Sequence, residues 1–333
     1  MTINLPSFLK HRISGGKFIV IGRAGMDLYP SPIGSSTSKA KSFESDLGGS
    51  AANIAVSLSK LGCKSSLISS FSDDGVGDFI KAKLNLYNVN TKFCNSISGV
   101  YKNSLAIAET KPENPKVAIY RNNASDLQIK NDLIENIDFS LFSGLIITGT
   151  ALSSEPSRSS THLSIESAKK SKCPIILDLD FRQDAWEDVN KASLEIGKVA
   201  KNSDICIGND EEFNVLGLHN QYTGKEFASN LSKNGKLVVY KKGSSGCELM
   251  HLSSHVSINA YKVNLLKPFG AGDAFMGGFI SGLKDGKDLK ASMIYGSASA
   301  AIVVSKIGCA SAMPSNIEVD KFIKKNTLIN ERS

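Results

Sequence analysis

Lys267-Pro268-Phe269-Gly270-Ala271-Gly272-Asp273-Ala274-Phe275-Met276-Gly277-Gly278-Phe279 is a glycine-rich turn that runs straight into an apolar helix. Gly270 and Gly272 let the backbone turn tightly and expose its N–H groups. At a helix N-terminus those groups and the helix dipole favour an anion. Such a turn can hold the charge that develops on a phosphoryl group in transit. Asp273 follows at once, so a carboxylate stands beside the anion site and can accept the proton of an attacking hydroxyl. Taken alone, the segment is equally an ordinary loop–helix junction with the aspartate as a capping residue.

Working outward, short apolar runs alternate with helical spacings. Phe18 to Ile21, closed by Gly22, reads as a buried strand, as do Ser66 to Ser69, Leu145 to Thr148, Pro174 to Leu177, Ile205 to Ile207 and Leu237 to Tyr240. Helical segments are Ala51 to Leu61, Asp78 to Leu86, Glu155 to Lys170 and Leu194 to Ala200, then the apolar Ala274 to Leu283 and Ala291 to Val304. This alternation predicts an α/β fold, a doubly wound and mostly parallel sheet flanked by helices on both faces.

Two stretches break the rhythm. Asp27 to Leu47 and Gly99 to Asp126 carry turn residues and short alternating runs, with Ser104 to Glu109 and Lys116 to Tyr120 as antiparallel strands around Lys111 to Asn114. They predict a small β lid over one edge of the main sheet. The chain then divides into a short, partly frayed leader (1–17), an α/β domain (18–26, 48–98 and 127–333) and an interleaved lid (27–47 and 99–126). A lone small sheet is marginal, and a second copy packed through the lids would stabilise it, so a homodimer is expected.

A second glycine pair feeds a helix at Gly48-Gly49-Ser50-Ala51-Ala52-Asn53-Ile54-Ala55. Its glycines allow close approach of a ligand, and Asn53 offers a donor and an acceptor suited to sugar hydroxyls. A plain helix entry with a solvent-facing Asn53 reads equally well.

Composition narrows the partners. The net charge of +7 is spread over a lysine-rich surface, without the basic clusters and interleaved aromatics of nucleic-acid binding. It fits attraction of small anions into a cleft. No run of roughly 18 apolar residues or signal-peptide core appears, so a cytoplasmic protein without membrane contact is expected. The six cysteines show no Cys-x-x-Cys or Cys/His spacing, which argues against zinc and against a disulfide framework.

The two glycine segments, in this order, resemble the two signatures of the ribokinase-like (PfkB) carbohydrate kinases, and the resemblance runs from about Phe18 to Pro314. It implies phosphoryl transfer from ATP to a sugar hydroxyl, with Asp273 as base, the amides of Gly270, Ala271 and Gly272 as anion hole, and Gly48, Gly49 and Asn53 on the sugar. Asn209-Asp210-Glu211-Glu212 resembles the family's Asn-x-x-Glu motif, which places Asn209 on ATP and Glu212 on magnesium through water; by itself it is an acidic first helical turn. Lys242-Gly243-Ser244-Ser245-Gly246 resembles the glycine turn beside the nucleotide, giving Lys242, Gly243 and Gly246 to ATP, and is otherwise a hairpin turn. Ala298 to Val304 resembles the adenine-side helix, with Ala301 against the base. Competing nucleotide motifs, the P-loop, the protein-kinase set and a Rossmann glycine fingerprint after Ile21, are absent.

Two positions depart from the family. An aspartate that helps hold potassium is replaced by Lys267, and a threonine by Phe269, so potassium is not expected. Lys267 either supplies a fixed charge in the ion's place or snorkels to solvent.

For the sugar, Gly22-Arg23-Ala24-Gly25-Met26-Asp27-Leu28-Tyr29 makes Asp27 a substrate residue by resemblance. This wording, with Tyr120 to Asp126, Asp178-Leu179-Asp180-Phe181-Arg182, Trp186 and Lys267-Pro268-Phe269, looks like the 5-dehydro-2-deoxygluconate kinases of inositol catabolism. The similar 2-keto-3-deoxygluconate kinases place arginines comparably. Both substrates carry a carboxylate, which assigns Arg121 and Arg182 to acid recognition; each also reads as a loop salt bridge. Fructokinase or ribokinase-type specificity, nucleoside or vitamin substrates, and a catalytically weak sugar- or nucleotide-binding regulator stay open.

Overall fold

The computed structural model describes residues 3–111 and 113–329. Along the chain run α1 (Ser7–Ile13), β1 (Lys17–Ile21), β2 (Gly25–Ser31), β3 (Ser42–Gly48), α2 (Ser50–Lys60), β4 (Lys64–Ser72), α3 (Gly75–Leu86), β5 (Asn90–Ile97), β6 (Leu105–Ala108) and β7 (Val117–Tyr120). There follow α4 (Asn131–Glu135), β8 (Gly144–Thr148), α5 (Ser157–Lys170), β9 (Ile175–Asp178), α6 (Val189–Asn202), β10 (Ile205–Asn209), α7 (Asp210–Leu218) and α8 (Gly224–Lys233). The chain closes with β11 (Leu237–Lys241), β12 (Cys247–His251), β13 (Ser254–Ile258), α9 (Ala271–Lys284), α10 (Leu289–Val304) and α11 (Asn316–Lys325).

The large sheet has nine strands in the order β13-β12-β11-β10-β9-β8-β1-β4-β5. From β5 across to β11 every neighbouring pair is parallel, and only the β11–β12–β13 meander at one edge is antiparallel. Strand side chains divide by parity between two cores. Phe18 and Val20 of β1 enter one, with residues of α1, α2, α3, α9, α10 and α11. Ile19 and Ile21 enter the other, with residues of α4, α5, α6, α7 and α8. This is the doubly wound α/β sheet expected from the apolar runs.

The chain winds from β1 outward through β4 to β5, then returns to β8 on the other side of β1. The winding therefore reverses between β1 and β8, and the crevice beyond the carboxyl ends of those strands is where open α/β sheets bind ligands. Gly22 leaves β1 here, so close that a β-carbon would overlap the Thr148 hydroxyl of β8.

The second sheet has four strands in the order β3-β2-β6-β7. Its β2–β3 and β6–β7 pairs are antiparallel, and β2–β6 is parallel. It roofs the carboxyl ends of the large sheet instead of lying over one edge, and both β2 and β7 contribute to the wall of the cavity below.

Two expectations need correction. The segment read as a frayed leader contains α1, whose Leu9 and Ile13, four residues apart, share one helical face and are buried in the core. Arg12 fastens it by donating from Nη2 to the Phe142 carbonyl at 2.7 Å. The sheet also extends beyond β11 through the β12–β13 hairpin, which the sequence reading left out. Among the described residues no helix is long and apolar enough to cross a membrane.

Candidate active site

A cavity of about 950 Å³ lies between the two sheets, at the carboxyl ends of β1, β8, β9, β10 and β11. The N-terminus of α9 reaches into it. Gly270 opens the helix at φ +78° with no side chain capping the first turn, so the amides of Ala271, Gly272 and Asp273 carry no capping partner. Only glycine suits position 270, because the left-handed backbone is compounded by Cys309 Sγ and Val303 Cγ1, which a β-carbon would approach to 3.1 and 3.2 Å.

Asp273 stands in that first turn. Its Oδ1 accepts from Ser50 Oγ at 2.8 Å and its Oδ2 from Asn53 Nδ2 at 3.0 Å, both donors on the first turn of α2. Helix α2 also begins on a left-handed glycine, Gly49 at φ +90°, packed against the Arg23 carbonyl. Burial pushes the Asp273 carboxyl up to about 6 and Asp180 adds to it, while Ser50, Asn53 and Arg182 pull the other way. The result is a carboxylate that is ionised at neutral pH and more basic than an exposed one. Asn53 is thus engaged with the Asp273 carboxylate, not facing solvent; its Oδ1 is buried without a partner.

On the roof side, Asp27 of β2 faces the cavity and accepts from Tyr29 Oη at 3.1 Å. Burial raises it to about 6, against the pull of the Tyr29 hydrogen bond. Gly48 is not on the cavity wall; it makes room for the Asp27 carboxylate, which a β-carbon there would strike.

Arg121 reaches the wall with Nε and Nη1 buried and without hydrogen-bond partners, and with Asp184 only at 4.0 Å. Burial, then the charge of Arg23, lowers it to about 10. Arg23 itself is 7% exposed, and its Nε donates at 3.0 Å to Asp126, which is held in turn by Ser104. Arg182, the other acid-recognising candidate, also lines the cavity and makes the ion pair that was its alternative reading. Its Nη2 lies 3.3 Å from Asp180, and its charge is favoured first by Asp180 and further by Glu212, Asp273 and Asp178.

The opposite end of the cavity contains the remaining candidates. Asn209 and Glu212 form a capping box at the start of α7, with Glu212 Oε2 accepting from Asn209 N at 2.7 Å and Asn209 Oδ1 accepting from Glu212 N at 2.8 Å. Both residues line the cavity. Gly243, Ser244 and Gly246 line it from the turn of the β11–β12 hairpin, so the hairpin and the glycine turn are one feature. Ala301 of α10 lines it in an apolar slot with Ala300, Val304, Val263 and Leu265. Lys242 does not line it; Lys241 does, because strand parity turns the preceding side chain toward the cavity.

Lys267 is buried beneath the Gly270 turn. It is 0% exposed, and Nζ donates to the Phe269 carbonyl at 2.7 Å, so it points inward beneath the turn and does not snorkel. Burial lowers its pKa, against the nearby Cys309, Asp27, Asp46 and Asp273. Among the described residues no group of three or more His, Cys, Asp or Glu side chains could hold a metal ion unaided.

The model of the pfkB family carbohydrate kinases matches residues 16–316. The chain belongs to that family. PfkB relatives include a 5-dehydro-2-deoxygluconokinase of Photobacterium profundum, 36% identical over 92% of this chain and 94% of that protein. A 5-dehydro-2-deoxygluconokinase of Bacillus subtilis is 34% identical over 92% of this chain and 95% of that protein. Among solved structures, the fructokinase of Xylella fastidiosa with bound ATP shares the fold at a TM-score of 0.82 and 19% identity, over 93% of this chain and 99% of that one. A fructokinase double mutant of Vibrio cholerae O395, bound to fructose, ADP and potassium, does so at 0.80 and 20%, over 92% and 98%. The protein is a carbohydrate kinase of ribokinase-like fold.

The sequence reading missed Arg23, Ser50, Asp178, Asp180 and Lys241 on the cavity wall. Arg23, Asp178, Asp180 and Lys241 sit at, or just beyond, the carboxyl end of an apolar strand, so the polar residues that close such a run are the signal that could have found them; Ser50 opens α2 and carries no such signal.

Proposed function

We propose that this kinase transfers the γ-phosphoryl group of ATP to a hydroxyl of 5-dehydro-2-deoxygluconate. The observation that carries the chemistry is the Asp273 carboxylate, held by Ser50 and Asn53 at the uncapped N-terminus of α9. As the sugar oxygen bonds to the γ-phosphorus, its proton passes to Asp273. The bond from that phosphorus to the β–γ bridging oxygen breaks, and its electron pair leaves on ADP. The amides of Gly270, Ala271 and Gly272 hold the charge on the moving group. Magnesium, which neutralises phosphate charge when it enters with the nucleotide, would be held by Glu212 through water, with Asn209, Gly243, Gly246 and Ala301 lining the ATP side.

The unpartnered Nε and Nη1 of Arg121 beside Arg23 support an acidic sugar. Two neighbouring guanidiniums repel until an anion lies between them, and a carboxylate pairs with such donors in parallel. Asp27 and the free Oδ1 of Asn53 are left for hydroxyls, and Arg182 for the phosphoryl end. Coupled ADP release over a panel of neutral and acidic sugars tests this. Efficiency should be highest on 5-dehydro-2-deoxygluconate and fall in Arg121→Ala by about 2–5 kcal/mol of transition-state binding. Equal efficiency on fructose would favour the fructokinase alternative, and no turnover of any sugar would favour a binding regulator.

Lys267 supports a reaction that needs no dissociable monovalent cation, since a fixed ammonium already lies under the Phe269–Gly270 turn. Rates in sodium, potassium and a bulky organic cation should agree at constant ionic strength. Potassium-specific activation of several fold would overturn this reading.

The face of the small sheet opposite Asp27 supports a homodimer. Met26, Leu28, Phe43, Ile107 and Tyr120 share it by register, and Phe43 and Tyr120 are 41% and 60% exposed. Sedimentation at micromolar concentration should give a dimer, and a monomer would refute it.

A further inference from the structure

Lys241 was not anticipated, and it occupies the most informative position in the cavity. It ends β11 on the same face as Leu237 and Val239, which feed the core beneath α9. Two residues further along, that parity brings its side chain up under the N-terminus of α9. A β-carbon on Gly272 would lie 3.3 Å from Lys241 Nζ, so the ammonium touches the turn whose amides are uncapped. It makes no hydrogen bond or salt bridge to any described residue. The charges facing it come from four places: Asp178 at the end of β9, Glu212 on α7, Asp273 on α9, and, opposing them, Arg182 beyond β9. Burial works against its charge, and Asp178, Glu212 and Asp273 more than offset that; burial also pushes Asp178 itself up to about 8, against the pull of Lys241. A cation with three unused donors, aimed at a cluster of open amides, is arranged for an anion that the protein does not itself supply.

We propose that Lys241 is a catalytic residue whose ammonium holds a non-bridging oxygen of the phosphoryl group during its passage from ATP to the sugar, opposite the amides of Gly270–Gly272. This rests on the kinase reading and adds a residue to it. The bonds made and broken are those given above; Lys241 donates hydrogen bonds throughout and loses no proton. Its contribution is greatest when the transferred group is flat and its charge spreads over three oxygens. The ground-state nucleotide needs it less, so its loss should fall on turnover more than on binding. Asp178 is then a positioning residue that keeps the ammonium under α9.

The test compares wild type with Lys241→Met, Lys241→Arg and the double variant Lys241→Met/Asp178→Asn. Wild-type turnover on the sugar panel comes first; if it is absent the kinase reading fails, whatever Lys241 does. Given turnover, Lys241→Met should lower kcat by about 10²–10³-fold, the scale of deleting one transition-state donor, with KM for the sugar nearly unchanged. Calorimetry supplies a readout apart from activity. Magnesium–ADP should bind Lys241→Met within a few fold of wild type, and the added affinity on supplying aluminium fluoride and sugar, which mimic the transferred group, should be lost. Lys241→Arg should regain part of that affinity. Equal losses of ADP and ADP–aluminium fluoride binding would overturn the proposal, as would unchanged kcat in Lys241→Met. The double variant separates catalysis from charge balance: recovery to wild-type kcat would mean that Lys241 only neutralises Asp178, and continued impairment supports contact with the phosphoryl group. Should Lys241→Met not fold, the same comparison is read from Lys241→Arg and the charge-balanced double variant.

Discussion

Helices α7 and α9 present their N-termini to the same cavity and are finished in opposite ways. Helix α7 starts on Asn209, and a capping box with Glu212 satisfies both the Asn209 and Glu212 amides. Helix α9 starts on Gly270 with no side-chain cap at all. Elsewhere α3, α6, α8, α10 and α11 are capped by Asp74, Asp188, Thr223, Asp288 and Ser315, whereas α1, α2, α4 and α5, like α9, have no side-chain cap. A side-chain cap is worth about 1 kcal/mol, and α9 forgoes it. The difference sorts the cavity: a capped helix offers its acidic side chain, and an uncapped one offers its amides. In the proposed reaction the end with amides would receive the moving charge, and the end with a carboxylate the cation that accompanies the nucleotide.

The strongest way to break this comparison is at Asp273. Asp273→Asn leaves the α9 amides in place and removes the base, so kcat should fall by roughly 10²–10⁴-fold while ATP still binds. Near-normal turnover would show that α9 supplies amides only. Gly270→Ala attacks the amides instead. The φ of +78° and the contact with Cys309 oblige the turn to shift. We expect a loss of kcat of about tenfold or more, and about 1–3 kcal/mol of stability in urea titration. Unchanged kcat would mean the amides do not meet the phosphoryl group.

The pH profile sharpens the role of the base. Asp273 must be unprotonated to accept the hydroxyl proton, and with its carboxyl near 6, kcat/KM should decline on the acid side of about pH 6 and level off above it. Ser50 donates to the charged form, so Ser50→Ala should move that limb to higher pH. A limb that stays in place would detach Asp273 from the profile. The smallest effect belongs to an ordinary cap. Thr223→Ala, at α8 and away from the cavity, should cost about 0.5–2 kcal/mol of stability in thermal melts without altering turnover. A drop in turnover as large as that of Gly270→Ala would erase the distinction between capped and uncapped ends.

Much of this was legible in the chain. Apolar runs such as Leu145–Thr148 and Pro174–Leu177 announce buried parallel strands, and Gly-Ala-Gly-Asp announces an anion turn with a carboxylate beside it. What stayed hidden depends on parity and on convergence. Lys241 and Lys242 are adjacent and chemically alike, and only the alternation of β11 decides which meets α9. Arg23 and Arg121 are far apart in sequence and become neighbours because β1 and β7 end at the same cavity. Helix α1 was missed although Leu9 and Ile13 have helical spacing, because its glycine-rich flank suggests fraying.

The hydrogen bonds to Asp273 have a consequence for how the protein is made. Ser50 and Asn53 stand 223 and 220 residues ahead of the carboxylate they hold. All strands of both sheets are complete by Ile258, before α9 begins at Ala271. A chain emerging from the ribosome therefore carries its whole strand framework, its roof and the two donors before it carries any base. On the proposed mechanism, catalytic competence comes only once the α9 turn docks against α2, so a chain stopped after its sheets would lack the proton acceptor and should not consume ATP.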